Sequence, residues 1–262
     1  GALINALRPF VDATACLDTP SRLRALAARH GHLYLPGLLP PAAVEPIRRE
    51  ALDAVFDLGL LADQTGPRWR RGARLEGTGY DDPRWLALQQ RLGARPQLRA
   101  LSEHPALLAL LEGLYGVPAA PHRGDLCRLS MPDAPDLTTP PHQDHHYLGG
   151  STDIWTAWTP LDPCPLDLGP LAVWDGSHRS GYRPHAGQGA GRQQVDVPVD
   201  TVWSSGPLAV GDVVLFHCMT VHRALPNRTL DTVRLSVDLR YQPADQPIDT
   251  VRVDGTRPVP VG

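Results

Sequence analysis

The chain has 262 residues, 42% of them hydrophobic and 20% charged, with a formal net charge of −3. That balance predicts an ordinary globular protein with a sizeable core, and the absence of a basic stripe argues against nucleic acid as a partner. No apolar run approaches the roughly 20 residues of a membrane span, and no basic-then-apolar leader opens the sequence, so a cytoplasmic protein without membrane contact is expected.

Arginine supplies every basic side chain apart from histidine, because the sequence contains no lysine. Schiff-base chemistry, a P-loop and a lysine general base are therefore excluded. Any carboxylate anchor must be an arginine fork. Cys16, Cys127, Cys164 and Cys218 are scattered and form no CxxC pair, which suits reduced thiols better than a disulfide framework.

The first third reads as helical. Thr19-Pro20-Ser21 opens a helix that Gly31 closes, and His32–Pro36 reads as a short strand. Pro40-Pro41 opens a second helix through Phe56, Asp82-Pro83 a third through Leu92, and His104-Pro105 a fourth that stops at Gly116. From about residue 121 short apolar or alternating runs replace them: 126–131, 153–161, 170–174, 194–199, 213–217 and 233–241. Helices followed by closely spaced strands, with no βαβ alternation, predict an α+β fold. A double-stranded β-helix (a cupin-like jelly roll) with N-terminal flanking helices fits best. The expected organisation is a single domain over 1–262, with a mostly helical flank at 1–120, a jelly-roll core at 121–241 and a C-terminal tail at 242–262. Patternless stretches at 63–80, 132–141 and 182–191 are candidate lids. The first of them carries Arg68, Arg70, Arg71 and Arg74, read as a solvated loop segment or one that closes over an anionic substrate.

The chemistry concentrates in His142-Gln143-Asp144, answered downstream by His222 and Arg234. Two imidazoles and one carboxylate hold non-haem Fe(II) on one face and leave the other open. On a strand, residues i and i+2 share a face, so His142 and Asp144 can grip one ion. The third ligand must come from a neighbouring strand. His217 and His222 compete for it; His222 is preferred because Thr220-Val221-His222 resumes strand character after a kink. His145 has the wrong parity, while His146 has the right parity but sits too far along, which suits an outer contact or substrate. Residues 233–239 alternate apolar and polar, placing Arg234 and Ser236 on one face. An inward arginine needs an anion. A dicarboxylate co-substrate supplies one, its distal carboxylate on the fork and its 2-oxo acid end on the iron. An ion pair with Asp231 or Asp238 is the structural alternative.

These residues, taken with Trp155-Thr156-Ala157-Trp158-Thr159-Pro160-Leu161, Gly169-Pro170-Leu171, Gly176-Ser177-His178, Gly211-Asp212 and Arg234-x-Ser236, resemble the phytanoyl-CoA dioxygenase family in order across roughly 125–241. The resemblance implies an Fe(II)- and 2-oxoglutarate-dependent dioxygenase that oxidises a small-molecule substrate with O₂ and releases succinate and CO₂. It implies His142, Asp144 and His222 as metal ligands and Arg234 as the co-substrate anchor, with Trp158, Gln143 and Leu126 lining the co-substrate. The family often has a hydroxyl residue two places after the distal histidine, and this chain has Ala224. Related halogenases lack the acidic ligand, so Asp144 implies hydroxylation or another oxidation of the substrate. His146, Tyr147 and Trp155 are the expected substrate contacts. The competing classes are a non-catalytic cupin-like binding protein and a non-oxidative cupin enzyme, neither of which needs Arg234.

Overall fold

Proline starts all five of the long helical runs, where its missing N–H would be unpartnered in any case. These are α1 (Pro20–His30), α2 (Pro41–Asp57), α3 (Pro83–Gly93), α4 (Pro96–Ser102) and α5 (Pro105–Tyr115). The computed structural model describes residues 7–62, 72, 82–93, 95–122, 125–132, 134, 138–148, 151–187 and 193–247. Arg68, Arg70, Arg71 and Arg74 and the last residues of the tail lie outside the described residues. The anticipated helices are present, and α4 is an addition, only seven residues long. One further short helix, α6 (His145–Leu148), follows Asp144 directly.

The strands are β1 (Leu7–Arg8), β2 (His32–Leu35), β3 (Ala119–Pro121), β4 (Leu126–Ser130), β5 (Trp155–Pro160), β6 (Leu171–Trp174), β7 (His185–Ala186), β8 (Gln194–Val195), β9 (Trp203–Ser204), β10 (Val213–His217), β11 (His222–Ala224) and β12 (Arg234–Pro243). One sheet runs β2-β10-β5-β12-β3, with β4 also paired to β12; the other runs β1-β9-β6-β11; β7 and β8 form a small ribbon. Pairing is antiparallel except between β1 and β9. The two sheets make the predicted jelly roll. From the mostly helical flank, β1 and β2 add a strand to each sheet.

Alternation along β12 builds two cores. Val233, Leu235, Val237, Leu239 and Tyr241 pack with α1, α2, α3, α4 and α5 in one apolar cluster. Between the sheets, Trp158, Val214 and Phe216 meet Leu171 and Val173. Each fully buried aliphatic side chain in these layers contributes roughly 1.5–3 kcal/mol over exposure. The other parity of β12 carries Arg234, Ser236, Asp238, Arg240 and Gln242, all buried. They form a polar row inside the barrel.

The α1–β2 junction fixes the loop ahead of β11. Gly31 ends α1 at φ 70°, and its carbonyl accepts from His217 N at 3.0 Å and Thr220 Oγ1 at 2.7 Å. A Cβ on Gly31 would fall 2.2 Å from His178 Nδ1, so only glycine fits. His32, His178 and His217 gather here with His30, Asp175 and Asp153. Burial pulls His32 and His217 from 6.5 down to about 4; Asp175 opposes it at His32, and His178 reinforces it at His217. Both are neutral in the fold, so acid protonates the unfolded chain first. Their contribution is therefore complete above pH 6.5 and is lost as pH falls from 6.5 towards 4, on the order of 3 kcal/mol for each fully titrated ring. Thermal melting followed by circular dichroism should show a midpoint level above pH 7 and falling through that window. A midpoint unchanged from pH 7 to 5 would contradict the assignment.

Candidate metal centre and co-substrate pocket

His142 and His222 pair directly as an isolated antiparallel bridge, with His142 N to His222 O at 2.9 Å and His222 N to His142 O at 3.0 Å. That brings their rings to 4.2 Å between centroids. Each Nδ1 lies against a backbone carbonyl, that of Pro140 at 2.8 Å and of Thr220 at 3.0 Å. A carbonyl can only accept, so Nδ1 carries the proton and Nε2 presents its lone pair. Both Nε2 atoms lie 3.7 Å from Asp144 Oδ1. The three ligand atoms lie within 4.8 Å of one another, and all three residues are buried. Among the described residues this is the one histidine, cysteine and carboxylate group with metal-binding spacing.

Asp144 reaches this position by a different route from the one anticipated. It does not continue a strand. His142 bridges to β11 and Asp144 turns into α6, so the carboxylate is set by a helix start rather than by strand parity. His146, expected two places along a strand, is on that helix.

The charges in the cluster suit a cation. Burial opposes ionisation of Asp144, but the Arg240 guanidinium leads the groups that outweigh it, and the carboxyl is held well below the usual range. Burial first, then His142, lowers His222 to about 3. A carboxylate and neutral imidazoles are the forms in which these residues ligate. His217 lies on the opposite parity of β10, near Trp155 and Asp153, away from this centre.

Asp144 is anchored by residues that sequence reading missed. Its Oδ2 accepts from Thr156 Oγ1 at 2.7 Å and from Arg240 Nε at 3.3 Å. Strand parity contained the signal: Arg240 follows Arg234 by six and Thr156 precedes Trp158 by two, so each shares its partner's face.

Along the same row, Arg234 donates from Nη1 to Ser236 Oγ at 3.0 Å, and its guanidinium sits 5.6 Å from the Trp158 ring. Asp238, the suggested structural partner of Arg234, instead accepts from Arg128 Nε at 2.7 Å and Arg240 Nη2 at 3.5 Å. Leu126 is opposite Asp238 in register, on the inner face. A groove of about 550 Å³ is lined by Cys164, Leu168, Pro207, Leu208 and Arg234 but by none of His142, Asp144 and His222.

Gln143, expected beside the co-substrate, donates from Nε2 to Gly181 O at 2.9 Å and Met219 O at 2.7 Å and accepts from Arg183 N at 2.8 Å. Its amide ties the 181–183 segment to the loop that carries His142 and Asp144. Trp155, expected to touch substrate, lies in the helix-facing core, its Nε1 donating to Asp153 Oδ1 at 3.2 Å.

Tyr147 stays close to the centre, its ring 5.6 Å from His142, and its hydroxyl donates to Gln193 O at 3.0 Å. His146 has both nitrogens engaged, Nδ1 with Tyr182 Oη at 2.9 Å and Nε2 with Gln193 Oε1 at 2.7 Å, and stacks on His185 at 4.1 Å. A contact from His146 to substrate would therefore use its ring rather than a nitrogen. Tyr182, His185 and Gln193 were not anticipated. They sit in a Gly- and Pro-rich stretch that has no periodic signal.

The phytanoyl-CoA dioxygenase family model matches residues 27–235. A 1-deoxypentalenic acid 11-beta-hydroxylase from Streptomyces arenae is 31% identical over 257 residues, covering 92% of this chain and 88% of that protein. The enzyme of the same name from Streptomyces exfoliatus is 28% identical with the same coverage. Among solved structures, the epimerase SnoN in complex with Fe3+, alpha ketoglutarate and nogalamycin RO superposes with a TM-score of 0.62, at 25% identity over 93% of each chain.

Proposed function

Because the chain belongs to the phytanoyl-CoA dioxygenase family, we propose that it hydroxylates a small-molecule biosynthetic intermediate, with His142, Asp144 and His222 holding the iron and Arg234 anchoring 2-oxoglutarate. It is an Fe(II)- and 2-oxoglutarate-dependent oxygenase. The observation that carries the residue assignment is the convergence of two Nε2 lone pairs and one carboxylate oxygen inside the barrel that also encloses Arg234. That donor set fits Fe(II) and leaves coordination positions for exchangeable ligands. The hydroxylases from Streptomyces support a natural-product intermediate as the substrate class.

When bound, the iron and 2-oxoglutarate supply an O₂-dependent oxidation of a substrate C–H bond, with succinate and CO₂ as the co-products. The chain's own residues do the rest. Their Nδ1 bonds to the Pro140 and Thr220 carbonyls keep the Nε2 atoms of His142 and His222 aimed at the centre. The Arg234 fork is steadied by Ser236 and faces Trp158, so a distal carboxylate has a planar, charged seat. Leu171, Val173, Val214 and Phe216 keep the barrel interior dry, which strengthens each of these electrostatic contacts. Tyr147 and the His146 ring form the wall on which substrate would rest beside His142.

The test is Fe(II)-dependent succinate release from 2-oxoglutarate across a panel of polycyclic and terpenoid acids. We expect stimulation by a subset of them, with one hydroxyl gained by the product. Folded, iron-loaded protein that never converts 2-oxoglutarate to succinate would contradict the proposal.

A further inference from the structure

The two oxygens of Asp144 are held differently. Oδ1 is 3.7 Å from both Nε2 atoms, whereas Oδ2 is turned to Thr156 Oγ1 at 2.7 Å and Arg240 Nε at 3.3 Å. Thr156 is wholly buried, and Arg240 and Asp144 are nearly so. Arg240 is itself fixed on two sides: Nη2 reaches Asp238 Oδ2 at 3.5 Å, and its backbone N–H donates to Asp125 Oδ1 at 2.9 Å. Thr156 and Arg240 are cross-strand neighbours on β5 and β12, so one register sets both donors.

We infer that Arg240 and Thr156 are positioning residues that keep Asp144 monodentate, so that its second oxygen does not occupy a coordination position needed by O₂. Two imidazoles, one carboxylate oxygen and a chelating 2-oxo acid fill five of six octahedral positions; a second Asp144 oxygen would fill the sixth. A carboxylate whose outer oxygen already accepts a hydroxyl proton and a guanidinium hydrogen bond loses both on rotating inward. Inside a low-dielectric barrel those charge-assisted bonds are strong. The inference rests on reading His142, Asp144 and His222 as the metal ligands.

The experiment uses the intact chain without oxygen. Fe(II) affinity is measured by chelator competition, and nitric oxide, a stable stand-in for O₂, is added to the Fe(II)- and 2-oxoglutarate-loaded protein and read by electron paramagnetic resonance. Thr156→Val and Arg240→Met should each bind Fe(II) about 10- to 100-fold more weakly. Each should also give less nitric-oxide signal per bound iron, and Arg240→Lys should recover part of both losses. Thr156→Val is nearly isosteric and decides the matter where Arg240→Met fails to fold. Wild-type values in Thr156→Val would overturn the inference. So would weaker iron binding with an unchanged signal per iron, which marks a merely structural role. Wild-type protein that binds no Fe(II) would instead refute the ligand assignment itself.

Discussion

Arg234→Ala should lower kcat/KM for 2-oxoglutarate by about 30-fold to several thousand-fold, because truncating one partner of a buried hydrogen-bonded charge pair costs roughly 2–5 kcal/mol. Arg234 is buried, bonded to Ser236 and 5.6 Å from the Trp158 ring, so its guanidinium is held in place before any diacid arrives. The loss should appear first as a raised KM for 2-oxoglutarate, with Fe(II) affinity in its absence little changed. Arg234→Lys should recover only part of the loss, since an ammonium offers a point charge where the guanidinium offers a planar fork. A variant with the wild-type KM would remove Arg234 from the co-substrate site. It would also revive the non-oxidative classes of cupin enzyme.

His222→Ala should remove Fe(II) binding at micromolar metal and abolish succinate formation. Losing one of three protein ligands exceeds the loss of an outer partner, which already weakens metal sites by about 10- to 100-fold. The bridge to His142 also tests the assignment. Its two backbone hydrogen bonds survive the substitution, so the fold around His142 should persist and circular dichroism should report it. His217→Gln is the matched control. That residue lies on the outer parity of β10, and its variant should keep iron. Iron retained by His222→Ala and lost from His217→Gln would reverse the choice of distal ligand.

Much of the fold was legible because proline and glycine mark helix ends through backbone geometry alone. Pro20, Pro41, Pro83 and Pro105 open helices, and Gly31 and Gly116 close two of them with φ near 70–78°. The shortest elements were not legible. α4 spans two turns, and β1, β7 and β9 have two residues each, too short for any period to register. The site divides along similar lines. His142, Asp144, His222 and Arg234 stand out because residue type and order are both unusual. Parity places Trp155 as well: three residues from Trp158, it faces the other way and packs against the helices. The same count would have found Thr156 and Arg240. The partners of Gln143 could not be read. Those at Gly181, Arg183 and Met219 lie 38 to 76 residues away and are all backbone atoms, which leave no trace in side-chain pattern.

Anaerobic addition of Fe(II) and 2-oxoglutarate to the folded protein decides whether one site gathers ferrous iron and a chelating 2-oxo diacid. We expect a weak visible charge-transfer band that needs both additions and is absent in Asp144→Ala. A colourless wild-type protein under saturating iron and 2-oxoglutarate would contradict that expectation.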